Sequence, residues 1–358
     1  MTIVFRADVS KKLGLGHAMR CLAIAHEMHE TGPFCLVARG NTEVLEVLPG
    51  EMSDQWAITL VPPAADDRED ARITAAVALE LDAELIISDL CSTAYIEEPN
   101  RLSGYHLDLK SENAATVLSI EDCRMTAFSS DIAVIPYDCG DPSIADRASH
   151  GSRVFAGPEY YICAPQIIRA RHTRNIRDEA TRILIVIGGS DKEGGSLKIA
   201  KALQNETSWR PELRVIAGRG LTAEQKYELE EICTRLPDFH LVEFTDSIAD
   251  HLVWADLAVV GEGLMRFEAA ITGTPSITIS QFEHDSDVLA RFYAAGTTQY
   301  LGSVHSLEPA EIADGIRSLA QDPKHRRDQM QRGMALYDGL GAARLSAIIQ
   351  SLIESEKQ

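Results

Sequence analysis

Thr2-Ile3-Val4-Phe5-Arg6-Ala7-Asp8, followed by Gly14-Leu15-Gly16-His17-Ala18-Met19-Arg20-Cys21, is the stretch that decides the fold. Thr2 to Phe5 read as a short buried strand. From His17 onward, Met19, Leu22, Ala23, Ala25 and Met28 recur near helical spacing, which predicts an amphipathic helix. A glycine turn between strand and helix leaves unpaired backbone N–H groups at the positive helix end. Such a turn is a ready site for a phosphate or carboxylate. Gly14, Gly16, Asp8 and Arg20 are therefore candidate substrate-binding residues. His17 opens the helix into the same space and is the candidate catalytic base, its unperturbed pKa of about 6.5 suiting it to proton transfer near neutrality. Asp8 leaves the end of the first strand, where ligands of open parallel sheets collect. The turn is not the dinucleotide fingerprint, because Met19 stands where a third glycine would be needed.

Outward from this unit the pattern repeats. Cys35–Ala38, Ala57–Val61, Leu85–Ser88, Thr116–Ile120 and Ile132–Ile135 read as strands, with a helix over 70–81. Alternating strands and helices call for βαβ crossovers and a parallel sheet. Asp89, Glu121 and Asp122 fall at strand ends, where they could face a crevice. Residues 138–181 carry Pro142, Gly151, Gly157, Pro158 and Pro165 and a basic run from Arg169 to Arg177. They read as an irregular connector with solvated arginines.

The alternation then restarts. Ile183–Ile187 is an apolar strand followed by Gly188-Gly189-Ser190-Asp191, Gly194-Gly195 and a helix. This second glycine turn has the physics of the first, making Gly188, Gly189, Ser190 and Asp191 candidate phosphate-binding residues. Strands are expected at 213–217, 239–242, 257–260 and 276–279, the last clear one. Helices are expected at 222–236, 248–254, 264–272, 286–295, 309–321, 325–337 and 342–354. The fold class is thus α/β, with two Rossmann-like domains facing across a cleft. The expected division is 1–155, a linker at 156–181, a second domain at 182–340 and a C-terminal helix at 341–358 that packs back on the first domain.

Composition narrows the function. The chain has 358 residues, 34 Lys plus Arg against 54 Asp plus Glu, and a net charge of −20. That balance disfavours nucleic acid and anionic membranes as partners. No run of about 18 apolar residues predicts a membrane span, and Asp8 interrupts the start before a signal-peptide core can form. The seven cysteines are dispersed without a Cys-x-x-Cys pair. They read as reduced thiols in a cytoplasmic protein, without zinc-ligand spacing.

Arg6-Ala7-Asp8-Val9-Ser10 with Gly14-Leu15-Gly16-His17-Ala18-Met19-Arg20-Cys21-Leu22-Ala23-Ile24-Ala25 resembles the opening of the PseG-type UDP-sugar hydrolases of pseudaminic acid biosynthesis. Spore-coat polysaccharide proteins of the SpsG type look alike here. The resemblance extends to Gly157-Pro158-Glu159-Tyr160 and to residues 243–275. It implies a GT-B architecture and His17 as base. The stretch from Glu243 to Pro275 also looks like the donor half of MurG-like enzymes. There, the segment matching Phe244, Thr245 and Ile248 holds uracil largely by backbone, and the glutamate matching Glu268 accepts hydrogen bonds from the ribose hydroxyls. Gly261 and Gly263 would open a helix toward the diphosphate. Two strings depart from the family: Gly261-Glu262-Gly263-Leu264-Met265-Arg266, where small hydroxyl residues are usual, and Gln281-Phe282-Glu283-His284-Asp285. Glu262 brings a negative charge near a presumed diphosphate unless it binds a cation or a hydroxyl, and Arg266 could offset it.

The expected function is release of UDP from a UDP-linked amino or deoxy sugar in surface-glycan biosynthesis. Water is activated by His17, and helix ends rather than a metal or cofactor stabilise the leaving group, as the family implies. A GT-B glycosyltransferase with the same donor, or a non-catalytic nucleotide-sugar binding protein, are the alternatives. The expected partner is a UDP-sugar small molecule; oligomeric state is not legible.

Overall fold

The computed structural model describes residues 1–10, 16–28, 33–90, 97–121, 125–137, 140–171, 176–188, 191–206, 209–218, 220–242, 245, 248–281 and 287–356. Two compact units emerge, Met1–Ala164 with Gly339–Gln358, and Pro165–Asp338.

In the first unit the elements run β1 (Ile3–Ala7), α1 (Gly16–Glu27), β2 (Phe34–Arg39), α2 (Gly50–Gln55), β3 (Ala57–Val61), α3 (Asp67–Glu80), β4 (Leu85–Asp89), α4 (Pro99–Glu112), β5 (Thr116–Ile120), β6 (Ile132–Ile135) and β7 (Arg153–Ala156). The seven strands order as β3-β2-β1-β4-β5-β6-β7, and every pairing is parallel. β1 and β4 are buried along their whole length, as continuous apolar runs in a sheet covered on both faces should be. Helix α1 is buried at Ala18, Arg20, Cys21, Leu22, Ala23, Ile24 and Ala25. It packs on β1 and on the final helix α13 (Gly341–Glu356). Ala342, Leu345 and Ile349 of α13 join the core of this unit.

A buried ion network crosses that core. Arg6, in mid-β1 and fully buried, donates from Nε and Nη2 to the two oxygens of Asp70 at 2.8 and 2.6 Å, and from Nη1 to Asp8 at 2.6 Å. Arg39 of β2 donates to the same Asp70 Oδ2 at 3.0 and 2.7 Å, and the Tyr105 hydroxyl of α4 donates to its Oδ1 at 3.2 Å. Burial would push the Asp70 carboxyl up, but the hydrogen bonds and charges of Arg6 and Arg39 hold it below the usual range.

The second unit runs α5 (Pro165–Arg171), β8 (Arg182–Val186), α6 (Gly195–Gln204), β9 (Glu212–Ile216), α7 (Ala223–Arg235), β10 (Phe239–Val242), α8 (Ile248–Trp254), β11 (Leu257–Val260), α9 (Met265–Thr272), β12 (Ser276–Ser280), α10 (Asp287–Ala294), β13 (Gln299–Ser303), α11 (Pro309–Ala320) and α12 (Pro323–Leu336). Its sheet orders β10-β9-β8-β11-β12-β13, again wholly parallel. Local signals act as their chemistry predicts. Thr222 caps α7 in a reciprocal box with Gln225, and Gly273 ends α9 at φ +69°.

Three expectations are corrected. Ser276–Ser280 is not the last strand, since β13 pairs beyond it. Residues 138–181 are not irregular throughout, since they contain β7 and α5. The basic run is not uniformly a solvated connector: Arg171 turns inward to donate to the carbonyls of Met334 at 3.0 Å, Tyr337 at 3.3 Å and Asp338. A guanidinium there satisfies carbonyls left open at the end of α12 and complements its dipole.

Candidate functional site

In each sheet the strand order reverses once at the first strand of its unit. The reversals fall between β1 and β4, and between β8 and β11. Loops that leave adjacent strand ends at such a point diverge to opposite faces and open a crevice.

At the first reversal, His17 follows β1 and Asp89 ends β4. His17 Nδ1 lies 2.8 Å from Asp89 Oδ1. Arg20, one helical turn on, donates from Nε to Asp89 Oδ2 and from Nη2 to Oδ1, both at 2.8 Å, and from Nη1 to the Tyr137 hydroxyl at 2.7 Å. Arg20 Nη2 also approaches His17 Nδ1 at 2.8 Å. A guanidinium only donates, and a bare Nδ1 lone pair set 2.8 Å from the Asp89 carboxylate would be repelled by it. The self-consistent assignment has Nδ1–H of His17 donating to Asp89. His17 Nε2 is then the lone-pair nitrogen, with no protein partner among the described residues. Burial would push the Asp89 carboxyl up, yet Arg20 and His17 override it and hold it far below the carboxylate range. Asp89 is thus a fixed anion that orients a histidine, the arrangement that prepares a general base.

The remaining candidates of this half fall as follows. Gly16 opens α1, whereas Gly14 lies outside the described residues. Asp8 is committed to the ion network, its Oδ1 also accepting from the Arg39 N–H at 3.1 Å. Arg20 is buried and engaged with Asp89 and Tyr137. Glu121 does not face outward: it is buried, accepts from the Ser119 hydroxyl at 2.6 Å and sits 3.4 Å from His106 Nδ1. Asp122 lies outside the described residues.

At the second reversal, Gly188 follows β8 at φ +132°, a conformation that glycine adopts freely. Gly261 follows β11 so closely that an added Cβ would lie 1.9 Å from the Ile187 carbonyl oxygen. Its role is therefore close approach between the two strand ends. Asp191 is buried and places its carboxylate on the start of α6, accepting from the N–H groups of Gly195 at 2.8 Å and Ser196 at 3.2 Å and from the Ser196 hydroxyl. Those two helix-end donors are filled from within the chain. Burial raises the Asp191 carboxyl, with the bonds from Ser196 and Gly195 opposing it. Gly263 is exposed, Thr245 is half-buried and Ile248 begins α8. Gly189, Ser190 and Phe244 lie outside the described residues.

Glu262 is held by hydroxyls: Ser280 donates to its Oε2 at 2.7 Å and Tyr293 to its Oε1 at 3.0 Å. This meets the sequence-level condition for tolerating a carboxylate here. Glu268, in the first turn of α9, has Oε2 sealed from solvent with no hydrogen-bond partner. Burial pushes its pKa up to about 8. A buried acceptor without a donor costs roughly 1–3 kcal/mol, and a diol supplies two donors to a carboxylate. The raised pKa has a sign that can be checked. The folded chain holds a proton that the unfolded glutamate, with a pKa of about 4.3, releases. Stability should therefore fall as pH rises from about 4.3 toward 8. Glu268→Gln should match wild type in thermal unfolding at pH 5 and exceed it at pH 8.5 by on the order of 2 kcal/mol; equal behaviour at both pH values would refute the burial argument.

Asp89 and Tyr137 complete the first site from 72 and 120 residues beyond His17, as do Ser280 and Tyr293 for Glu262 from 18 and 31 residues beyond it. Only Asp89 carried a sequence signal, its position at a strand end. Among the described residues no group of three or more His, Cys, Asp or Glu is placed to hold a metal ion, and no helix is long and apolar enough to cross a membrane. Cys21, Cys35 and Cys233 are free thiols.

No family profile matches the chain. Along 352 residues, 98% of both chains, it is 24% identical to the spore coat polysaccharide biosynthesis protein SpsG of Bacillus subtilis. Among solved structures it is similar to Acinetobacter baumannii MurG, with a TM-score of 0.68, 12% identity and 98% and 99% of the two chains covered. It is also similar to the UDP-GlcNAc 2-epimerase of Neisseria meningitidis bound to UDP-GlcNAc, with a TM-score of 0.63, 13% identity and 99% and 100% coverage. These likenesses identify the fold as that of GT-B glycosyltransferases and epimerases.

Proposed function

We propose that the chain is a nucleotide-sugar hydrolase of polysaccharide biosynthesis that releases UDP from a UDP-linked sugar. The observation that carries this reading is the Asp89-oriented His17 at the switch point of the first sheet, with Nε2 left open. In the proposed step His17 Nε2 takes a proton from water. The water oxygen bonds to the anomeric carbon, and the carbon–oxygen bond to the diphosphate breaks with its electron pair passing to the phosphate oxygen. Free sugar and UDP result, and the proton rests on His17 until solvent removes it. Asp89 holds the imidazole tautomer and steadies the imidazolium that forms; Arg20 and Tyr137 hold Asp89. Unit 2 would bind the nucleotide: Glu268 accepts from the ribose hydroxyls, the segment from Phe244 through Thr245 to Ile248 takes the base, and the loops at Gly188–Asp191 and Gly261–Gly263 lie against the diphosphate. SpsG similarity supports the polysaccharide context, and the UDP-GlcNAc held by the Neisseria enzyme supports the donor class.

The test is UDP release from a panel of UDP-amino and UDP-deoxy sugars, without acceptor and with EDTA present. Wild type should release UDP, and His17→Ala should be slower by about 10²–10⁴-fold with donor affinity retained. A second reading, a glycosyltransferase, draws on the MurG likeness; it predicts release only when a hydroxyl acceptor is added. Equal turnover by wild type and His17→Ala would defeat both.

A further inference from the structure

Arg266 is the second residue of α9. Its guanidinium carbon lies 4.2 Å from the ring centre of Phe292 and 4.8 Å from that of Phe267, both rings buried. Nε and Nη1 are sealed from solvent and have no hydrogen-bond partner. A guanidinium carries five donors and stays charged at all physiological pH values. It stacks on aromatic faces while leaving its in-plane N–H groups free for an anion.

The acid of the preceding loop does not satisfy it. Glu262, four residues earlier on the same loop, is taken by the hydroxyls of Ser280 and Tyr293. Glu262 and Arg266 both act electrostatically on the Tyr293 hydroxyl, the first raising its pKa and the second lowering it, after burial, which raises it most. The two charges are thus neighbours, but among the described residues no ion pair joins them. Ser280 and Tyr293 each donate to one oxygen of the carboxylate. Two residues on, Glu268 Oε2 is the other unsatisfied buried group of the same helix turn. One turn therefore leaves a cation and an acceptor unmet, and the cation is the group that an anionic ligand would satisfy.

We propose that Arg266 is the phosphate-contacting residue of unit 2, donating its free N–H groups to the diphosphate of the nucleotide whose ribose Glu268 accepts. This rests on the reading of unit 2 as the nucleotide-binding half and names the cation of that site. Small hydroxyl residues can bind phosphate by neutral hydrogen bonds; here a charge-assisted donor replaces them. The hydroxyl pair on Glu262 is part of the same device, because a free Glu262 would otherwise neutralise the arginine.

The experiment compares uridine, UMP and UDP on the full chain by NMR and calorimetric titration, for wild type and Arg266→Gln. UDP affinity should fall by about tenfold or more in the variant, while uridine affinity stays within about twofold. The melting temperature of the unliganded variant should equal or exceed that of wild type, because its buried unmet charge is gone, whereas the rise in melting temperature on adding UDP should shrink. A structural role for the stacked arginine predicts the reverse, a lower melting temperature with unchanged UDP affinity, and that result overturns the proposal. If Arg266→Gln does not fold, Arg266→Lys decides: threefold or greater loss for UDP alone supports the proposal, and equal affinities overturn it. Failure of wild type to bind any uridine compound would instead remove the nucleotide reading beneath it.

Discussion

Asp89→Asn should lower UDP release by roughly three to four orders of magnitude, about the loss known when a catalytic histidine loses its orienting aspartate. Three donors converge on the carboxylate: His17 Nδ1–H, Arg20 Nε–H and Arg20 Nη2–H. An asparagine offers one oxygen and turns an NH₂ group toward donors. With the oxygen at the Oδ1 position, which His17 Nδ1 and Arg20 Nη2 share, the histidine keeps its tautomer but loses the anion that steadies its imidazolium; with the NH₂ there, His17 must accept at Nδ1 and carry its proton on Nε2. A histidine protonated at Nε2 cannot take a proton from water there. The loss should fall on kcat, with uridine and UDP affinity, which belong to the other unit in the proposed reading, unchanged. Asp89→Asn turning over within fivefold of wild type would remove the dyad from the mechanism. The variant must also be shown to fold, because Arg20 is buried and loses half of its partner.

The largest effect on stability is expected at Asp70. Asp70→Asn leaves Arg6 fully buried beside Arg39 without the carboxylate that accepts from both. Arg6 keeps Asp8 at 2.6 Å but then faces Arg39 with one buried carboxylate fewer, and breaking a buried pair from one side costs about 3–5 kcal/mol. With an urea dependence of about 1–3 kcal/mol per molar, the unfolding midpoint of the first unit should drop by roughly 1.5–3 M. Trp56 reports that unit alone when Trp209 and Trp254 are replaced by phenylalanine, since it is buried against Phe5 with ring centres 4.9 Å apart. Adding Arg6→Met to Asp70→Asn should recover part of the loss, as an apolar replacement removes the stranded charge. A single variant within 1 kcal/mol of wild type would mean that Asp8 alone, or water, compensates Arg6.

The path from sequence to fold was short where the signal is local. β1 and β8 are apolar runs that end in glycine turns, and Thr222 and Gly273 are residues whose chemistry starts or stops a helix. β7 and β13 were invisible for a physical reason: each is an outermost strand of its sheet, partly exposed, and carries polar residues and, in β13, Gly302. Edge strands have one neighbour and need not bury both faces, so the apolar run can be lost, as here; β3 and β10, also outermost, keep theirs and are read from the sequence. In the site, His17 was legible from its position on a helix start, but its partner was not, because Asp89 becomes a partner only when β4 pairs beside β1. Glu262 read as an anomaly for the same reason, since its two hydroxyls reach it across the β11–β12 pair and from α10. Pairings of this kind are set by topology, and spacing along the chain carries no trace of them.

The seating of α13 on α1 gives the molecule an order of birth. The helix that carries His17 is made long before the residues that cover it, so the surface under Ala342, Leu345 and Ile349 stays open until they are synthesised. During synthesis the second unit can close while the first waits. The unit that holds the proposed base is therefore completed after the second, and a nascent chain acquires unit 2 before it acquires a settled His17.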